Sequence, residues 1–319
     1  MADFLTHILL ADGVLERLES RRILEGVMQK RSLYYLGAQG PDPLFFYKCF
    51  PMSGKGPLKG LGHTLHRNKT GAFLYEGFKR LTNVSYDKGW MDLAIYLCGA
   101  ICHFTLDRMI HPYVYWATNQ WIWGMDGTPR KVTHQQVEIA LDVLLWKEIK
   151  GVSAYRVKTR KLVDIGPKWP EGVSDFLSKA YLELYGIEAN ERELNNLLTD
   201  FYRGHDLLYD PKGWKKALVS WLDSLTGGGI KPPKPPYPVV YDQTIDWANR
   251  KRRTWVNPFT GESHTVSIDG LLTDIADTAA IHLNTVFTRM FKGEDIEDLF
   301  PDLSYDTGIL CVYDGNVEN

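Results

Sequence analysis

His103, Asp107 and His111 follow one another at four-residue steps in YLCGAICHFTLDRMIHPYVYW, and His134, Glu138 and Asp142 repeat that spacing in VTHQQVEIALDVLL. Four residues turn an α-helix through roughly 400°, so each triplet points to one side with a drift of about 40° per step. Imidazole nitrogen and carboxylate oxygen are zinc ligands, and two such helices face to face form a cage for more than one ion. The alternative is a polar stripe on a solvated helix face. The strongly apolar run ahead of His103 speaks for burial, and hence for metal.

Asp42 stands in LGAQGPDPLFF between Pro41 and Pro43, whose rings fix the backbone and restrict their neighbours. A carboxylate held that way suits a metal or a reacting water, although Asp in a Pro/Gly-rich stretch is also a common turn residue. Six of the nine histidines fall within the first 134 residues: His7, His63, His66, His103, His111 and His134. His205, His264 and His282 lie outside that grouping and read as structural or surface residues. Cys98 and Cys102, one turn apart ahead of His103, read as small buried hydrophobes rather than thiolate ligands. With Cys49 and Cys311 they are too few and too irregular for a disulfide framework.

The elements that must carry these residues are helical nearly throughout. Apolar residues recur at three- and four-residue intervals over 4–18, 20–36, 70–82, 90–111, 132–149, 172–186, 190–209, 212–225 and 267–291, with weak strand candidates only at 155–163 and 255–266. LTGGGIKPPKPPYPVV predicts an extended crossing, and GEDIEDLFPDLSYD closes the chain as an acidic tail. The expected fold class is all-α, a multi-helix bundle around a zinc cluster. Residues 1–225 would form the metal-bearing helical domain, with 226–319 packed on it as crossing, helix and tail.

Composition adds class rather than chemistry. The chain has 319 residues, 44% hydrophobic and 24% charged with a formal net charge of −2, so it can bury a large core and lacks the basic excess of a nucleic-acid platform. MADFLTHILLADGVLERL has no basic n-region and no small-residue cleavage site, so it does not read as a secretory signal. The longest apolar run, about 93–106, is short for a bilayer span. The expectation is a cytoplasmic protein with no transmembrane segment.

Three further features have a chemical and a structural reading. SGKGPLKGLGH carries Lys55 and Lys59 beside His63, as a phosphate-touching loop or a solvated one. Tyr113, Tyr115, Trp116, Trp121 and Trp123 form either a substrate rim or core. NRKRRTW, residues 249–255, is a phosphate-facing patch or a solvated charge run.

The order His7, Asp42, His66, His103-x3-Asp107, His111, His134-x3-Glu138 resembles the zinc-dependent phospholipase C family, which is related in fold and metal site to the single-strand-specific zinc nucleases. The resemblance covers roughly residues 1–225 and implies an α-helical fold with a zinc cluster that hydrolyses phosphodiesters. Carried over, one zinc takes Asp42, His66, His103 and Asp107. A second takes His111, His134 and Glu138, and a third uses His7 and shares Asp107. Asp42 would be the catalytic group that orients or deprotonates the attacking water. Spacing leaves His63 open beside His66, and the segment LHRNKTGAF favours His66.

Asp142, one turn past Glu138, is expected either behind a ligating histidine or at the surface. In the secreted relatives the third zinc also takes the amine and carbonyl of a processed N-terminal tryptophan, whereas here Met1 stands six residues before His7. The third site is therefore expected to be weaker, and the cofactor to be two or three Zn²⁺ ions. The implied partner is a phosphodiester, with a phospholipid headgroup favoured. Nucleic acid or a small phosphoester is the alternative on the same site, and a non-catalytic metal-stabilised binding protein is the third class. Nothing in residues 226–319 resembles the membrane-binding β-domain that secreted members add.

Overall fold

The computed structural model describes residues 4–50, 53–82, 88–120, 122–212 and 241–311, together with Lys215 and Tyr237. In chain order the helices are α1 (Phe4–Leu15), α2 (Arg21–Gln29), α3 (Arg31–Gly37), α4 (Leu61–Arg67), α5 (Thr70–Thr82), α6 (Lys88–Gln120), α7 (His134–Lys150), α8 (Arg160–Val163), α9 (Glu171–Tyr185), α10 (Glu191–Leu208) and α11 (Ile268–Lys292). Among the described residues the sheets are two short antiparallel ribbons, Ile122–Trp123 with Pro129–Arg130 and Trp255–Val256 with Ser263–His264. The fold is all-α, as expected.

Helix α6 is the axis of the molecule, packed by α1, α3, α5, α7, α9 and α11. By length and composition its segment Gly89–Asn119 could cross a membrane, but 89% of the apolar window is buried inside the fold, which marks a core helix. The apolar run is thus longer than its sequence suggested. It passes through Pro112, whose missing N–H leaves the Arg108 carbonyl without its helical donor. Gly308 sits against that carbonyl at φ +72°, where an added Cβ would lie 2.4 Å from the oxygen.

Local chemistry sets the other boundaries. The segment expected as one helix over 20–36 divides at Lys30 (φ −129°, ψ 47°), whose N–H closes α2 on Gly26 and Val27 while its carbonyl opens α3. Residues 155–163 are not a strand. They form a 3-10 turn (Ala154–Arg156) and α8, since no neighbouring strand among the described residues offers a ladder. Helix α4 lay unseen in the glycine-rich stretch before His66. The expected helix at 212–225 and the proline-rich crossing lie outside the described residues, apart from Lys212, Lys215 and Tyr237.

Ile275, Ala279, Leu283 and Val286 of α11 belong to the same buried apolar set as Phe4, Leu36 and Ile101, which places the later part of the chain on the core of the earlier part. The acidic stretch 293–306, expected as a closing tail, is exposed over 293–295 and then packs on the fold. After a 3-10 turn at Glu297–Leu299 it folds back on α5, where Asp302 Oδ1 accepts from Ala72 N at 2.9 Å and Thr70 Oγ1 donates to Leu303 O at 2.8 Å. The basic segment 249–255 is largely spoken for. Arg250 pairs with Glu148 and Asp269, Arg253 lies over the Trp123 ring, and Asn249 is buried.

Asp142 is not at the surface. It is 0% exposed and accepts from Leu5 N (3.0 Å), Thr6 N (2.7 Å), Thr6 Oγ1 (2.6 Å) and the Tyr237 hydroxyl (2.6 Å). It therefore caps the open amides at the start of α1, one residue before His7. Asp142→Ala strands those buried donors and should cost on the order of 3 kcal/mol or more. The measurement is denaturant unfolding of the metal-free protein. A loss under about 1 kcal/mol would show that α1 is held by its apolar face alone.

Candidate metal centre

Five elements bring the ligand-type side chains together. Helix α6 supplies His103, Asp107 and His111, and the Thr133–Gln136 capping box starts α7 at His134, with Glu138 one turn on. Helix α1 brings His7, α4 brings His66, and a 3-10 turn over Asp42–Phe46 with Pro43 in its first turn holds Asp42. Three groups result in which the ligand atoms lie within 4.8 Å of one another: His7, His103 and Asp107; Asp42, His66 and His103; and His111, His134 and Glu138.

Asp107 stands between the first two groups. Its Oδ1 is 3.0 Å from His7 Nε2, and its Oδ2 is 3.1 Å from His103 Nε2 and 3.9 Å from His66 Nε2. Asp42 Oδ1 lies 3.2 Å from His66 Nε2. In the third group Glu138 Oε1 faces His134 Nε2 at 2.9 Å and His111 Nε2 at 3.5 Å.

Each of three imidazoles is oriented from behind through Nδ1. His66 donates to Gly62 O (2.7 Å), His103 to Ala38 O (3.3 Å) and His111 to Tyr305 O (2.8 Å). An Nδ1 proton held by a carbonyl leaves the Nε2 lone pair for the cage. Gly40 lets the chain pass under His103: an added Cβ would come within 2.3 Å of the ring, at φ +50°. His103 Nε2 and Asp107 Oδ1 are buried and make no hydrogen bond among the described residues, although each has an opposite ligand atom about 3 Å away. Close approach without hydrogen-bond alignment, in a set of imidazoles and carboxylates, is what a borderline divalent cation resolves.

Burial opposes charge on all these groups, yet the carboxylates stay anionic. For Asp107 the surrounding His103, His111 and His7 outweigh burial and hold the carboxyl well below its usual range. Burial is likewise overcome at Glu138 by hydrogen bonds from His111 and His134, and at Asp42 by the His66 hydrogen bond and the His103 charge. His66 is also buried, but Asp42 and Asp107 raise its pKa.

A cleft of about 180 Å³ opens onto Asp42, His66, Asp107, His111, His134 and Glu138, and is completed by Phe45, His63, Arg67 and Asp306. His7 and His103 lie deeper, both essentially unexposed, while the His134 side chain is 33% exposed. A larger cleft of about 750 Å³ between Met28–Leu33 and Asp164–Gly172 has no such ligand group among the described residues. His63 is exposed and packs edge-on to Phe45, whereas His66 is buried in the group with Asp42 and His103. Lys55 and Lys59 are exposed and do not line the cleft.

The aromatic run divides between two roles. Tyr113 and Trp116 are buried against Trp255, whereas Tyr115 stands against His134 (4.9 Å) and Phe259 (5.4 Å) beside the cleft. Trp123 lies under Arg253, and Trp121 is outside the described residues. His205 is buried with Thr159 Oγ1 2.8 Å from its Nδ1, His282 packs on Phe300, His264 lies tilted against Trp255, and none of the three belongs to a ligand group. Burial pushes the Cys102 thiol up to about 12 and the Cys98 thiol well above its ordinary value, so both are neutral core residues. The sequence missed Phe45, Arg67, Tyr305 and Asp306. Only Arg67, next to His66, carried a positional signal.

A family model described as zinc dependent phospholipase C matches residues 6–206. The chain belongs to this family. All eight side chains of the cage lie within the matched segment of this zinc-dependent phospholipase C relative, whereas Tyr305 and Asp306 lie beyond it. No curated protein and no solved structure matches the chain.

Proposed function

We propose that the chain is a zinc-dependent phosphodiester hydrolase of phospholipase C type. Asp42, His66, His103 and Asp107 would hold one ion, His111, His134 and Glu138 a second, and His7 with a shared Asp107 a third. The observation that carries this reading is the placing of both oxygens of Asp107 between separate imidazole groups at the base of an open cleft. Bound zinc supplies an acidified water and neutralises charge on the phosphoryl oxygens. Asp42, held by its prolines and by His66, would orient a water at the cleft and accept its proton. Phe45 and Tyr115 supply apolar contact for what the phosphate carries.

A phospholipid headgroup suits this cleft better than a polynucleotide. Among the described residues its lining contains one cation other than histidine, Arg67, which Asp306 already engages. The purified chain should contain two or three equivalents of zinc and turn over a phosphocholine or phosphoethanolamine diester faster than single-stranded DNA or a phosphomonoester. Less than about one equivalent after metal-replete expression, or no turnover across that panel, would overturn the reading. His7→Ala should remove at most one equivalent, since the other groups keep their own ligands.

A further inference from the structure

The three oriented histidines differ in where their orienting acceptor comes from. Gly62 and Ala38 lie inside the segment that defines the family, whereas Tyr305 lies about a hundred residues beyond its end. We infer that the loop 302–308 is a positioning strap of the metal centre, in which the Tyr305 carbonyl fixes His111 for the ion shared with His134 and Glu138. The inference rests on reading these groups as zinc sites.

The strap is built into the cage on both its faces. Tyr305 is 4% exposed, its N–H donates to His66 O at 2.8 Å, and its ring packs edge-on to His66 (5.5 Å) and His103 (5.3 Å). One residue thus touches a ligand of each of the three groups. Asp306 follows it to the cleft and accepts from Arg67 Nε, so the same loop sets the charge at the opening.

The loop is closed on itself by Ser304 N to Ile309 O and Gly308 N to Ser304 O, each 2.9 Å, and is tied to α5 through Asp302 and Leu303. Its seat on α6 is the Arg108 carbonyl that Pro112 frees, against which Gly308 alone fits. Pro112 immediately follows His111, so the break in the helix ladder and the ligand it serves are adjacent. Because the acceptor on His111 is a main-chain atom, no change of the Tyr305 side chain removes it directly. Displacing the loop does.

The test uses the full zinc-loaded chain. Gly308→Val should drive the loop off Arg108 and weaken the ion at His111, His134 and Glu138 about 10- to 100-fold in a chelator competition, with stoichiometry falling by one and the remaining ions retained. In the unaltered protein, the His111 Nδ1 proton should appear as a slowly exchanging NMR resonance, which tests the bond even where Gly308→Val fails to fold. Unchanged affinity and stoichiometry in Gly308→Val, or a freely exchanging His111 Nδ1 proton in zinc-loaded wild type, would overturn the strap alone. A wild-type chain that binds no zinc would overturn the functional reading as well.

Discussion

Asp42→Asn is expected to lower phosphodiester turnover about 10²- to 10⁴-fold while the protein remains folded. The substitution keeps the shape of a side chain fixed between Pro41 and Pro43 but removes its charge and its proton acceptor. In the native chain Asp42 is buried, which raises its carboxyl pKa. The hydrogen bond from His66 and the charges of His103 and His66 more than reverse that, so the group is a ready anion at the cleft. An amide also coordinates zinc less well, and lost coordination adds to the loss of base. Turnover, zinc content and unfolding free energy measured side by side separate the contributions. Full activity in Asp42→Asn would remove this residue from the mechanism.

The second large effect concerns Asp107, which serves two groups at once. In the metal-free protein, Asp107→Ala removes the anion facing His7 and His103 in a site that water hardly reaches, and breaking such a buried pair costs about 3–5 kcal/mol. In the zinc-loaded protein it should strip the groups containing His7 and His66 together and leave His111, His134 and Glu138 occupied. His134→Ala is the contrasting case. Its ring is at the edge of the cleft and belongs to one group only, so that ion should be weakened and partly restored by excess zinc. Equal metal loss in both variants would show that the three groups bind as one unit.

Periodicity gave the helices because each buries one face on a shared core, and that demand is local in sequence. The four-residue ladders of α6 and α7 were legible for the same reason: one element fixes the relative directions of its own side chains. Asp142 shows where this stops. It falls on the ladder with His134 and Glu138, yet the drift along α7 carries it under α1, where it serves amides nearly 140 residues earlier. Helix α4 was hidden because seven residues with two glycines nearby carry too little period, although His66 depends on it. The acidic stretch 293–306 read only as a closing tail because charge dominates its composition. Its inward-facing Tyr305 and Asp302 are single residues with no repeat to reveal them.

By itself the sequence determined an all-α chain, two helices armed with imidazole and carboxylate at four-residue steps, and an order of ligands shared with zinc-dependent phospholipases C. Those properties follow from backbone geometry within single elements. Only the tertiary structure decided that His103 belongs to two of the three groups, that His66 is buried among them while His63 is exposed, and that a loop some 200 residues from His111 supplies its orienting carbonyl. Such contacts join elements whose separation in sequence carries no information about their separation in space. They exist because burying α6 on all sides brings α1, α4, α7 and the 302–308 loop to the same few ångströms of its surface.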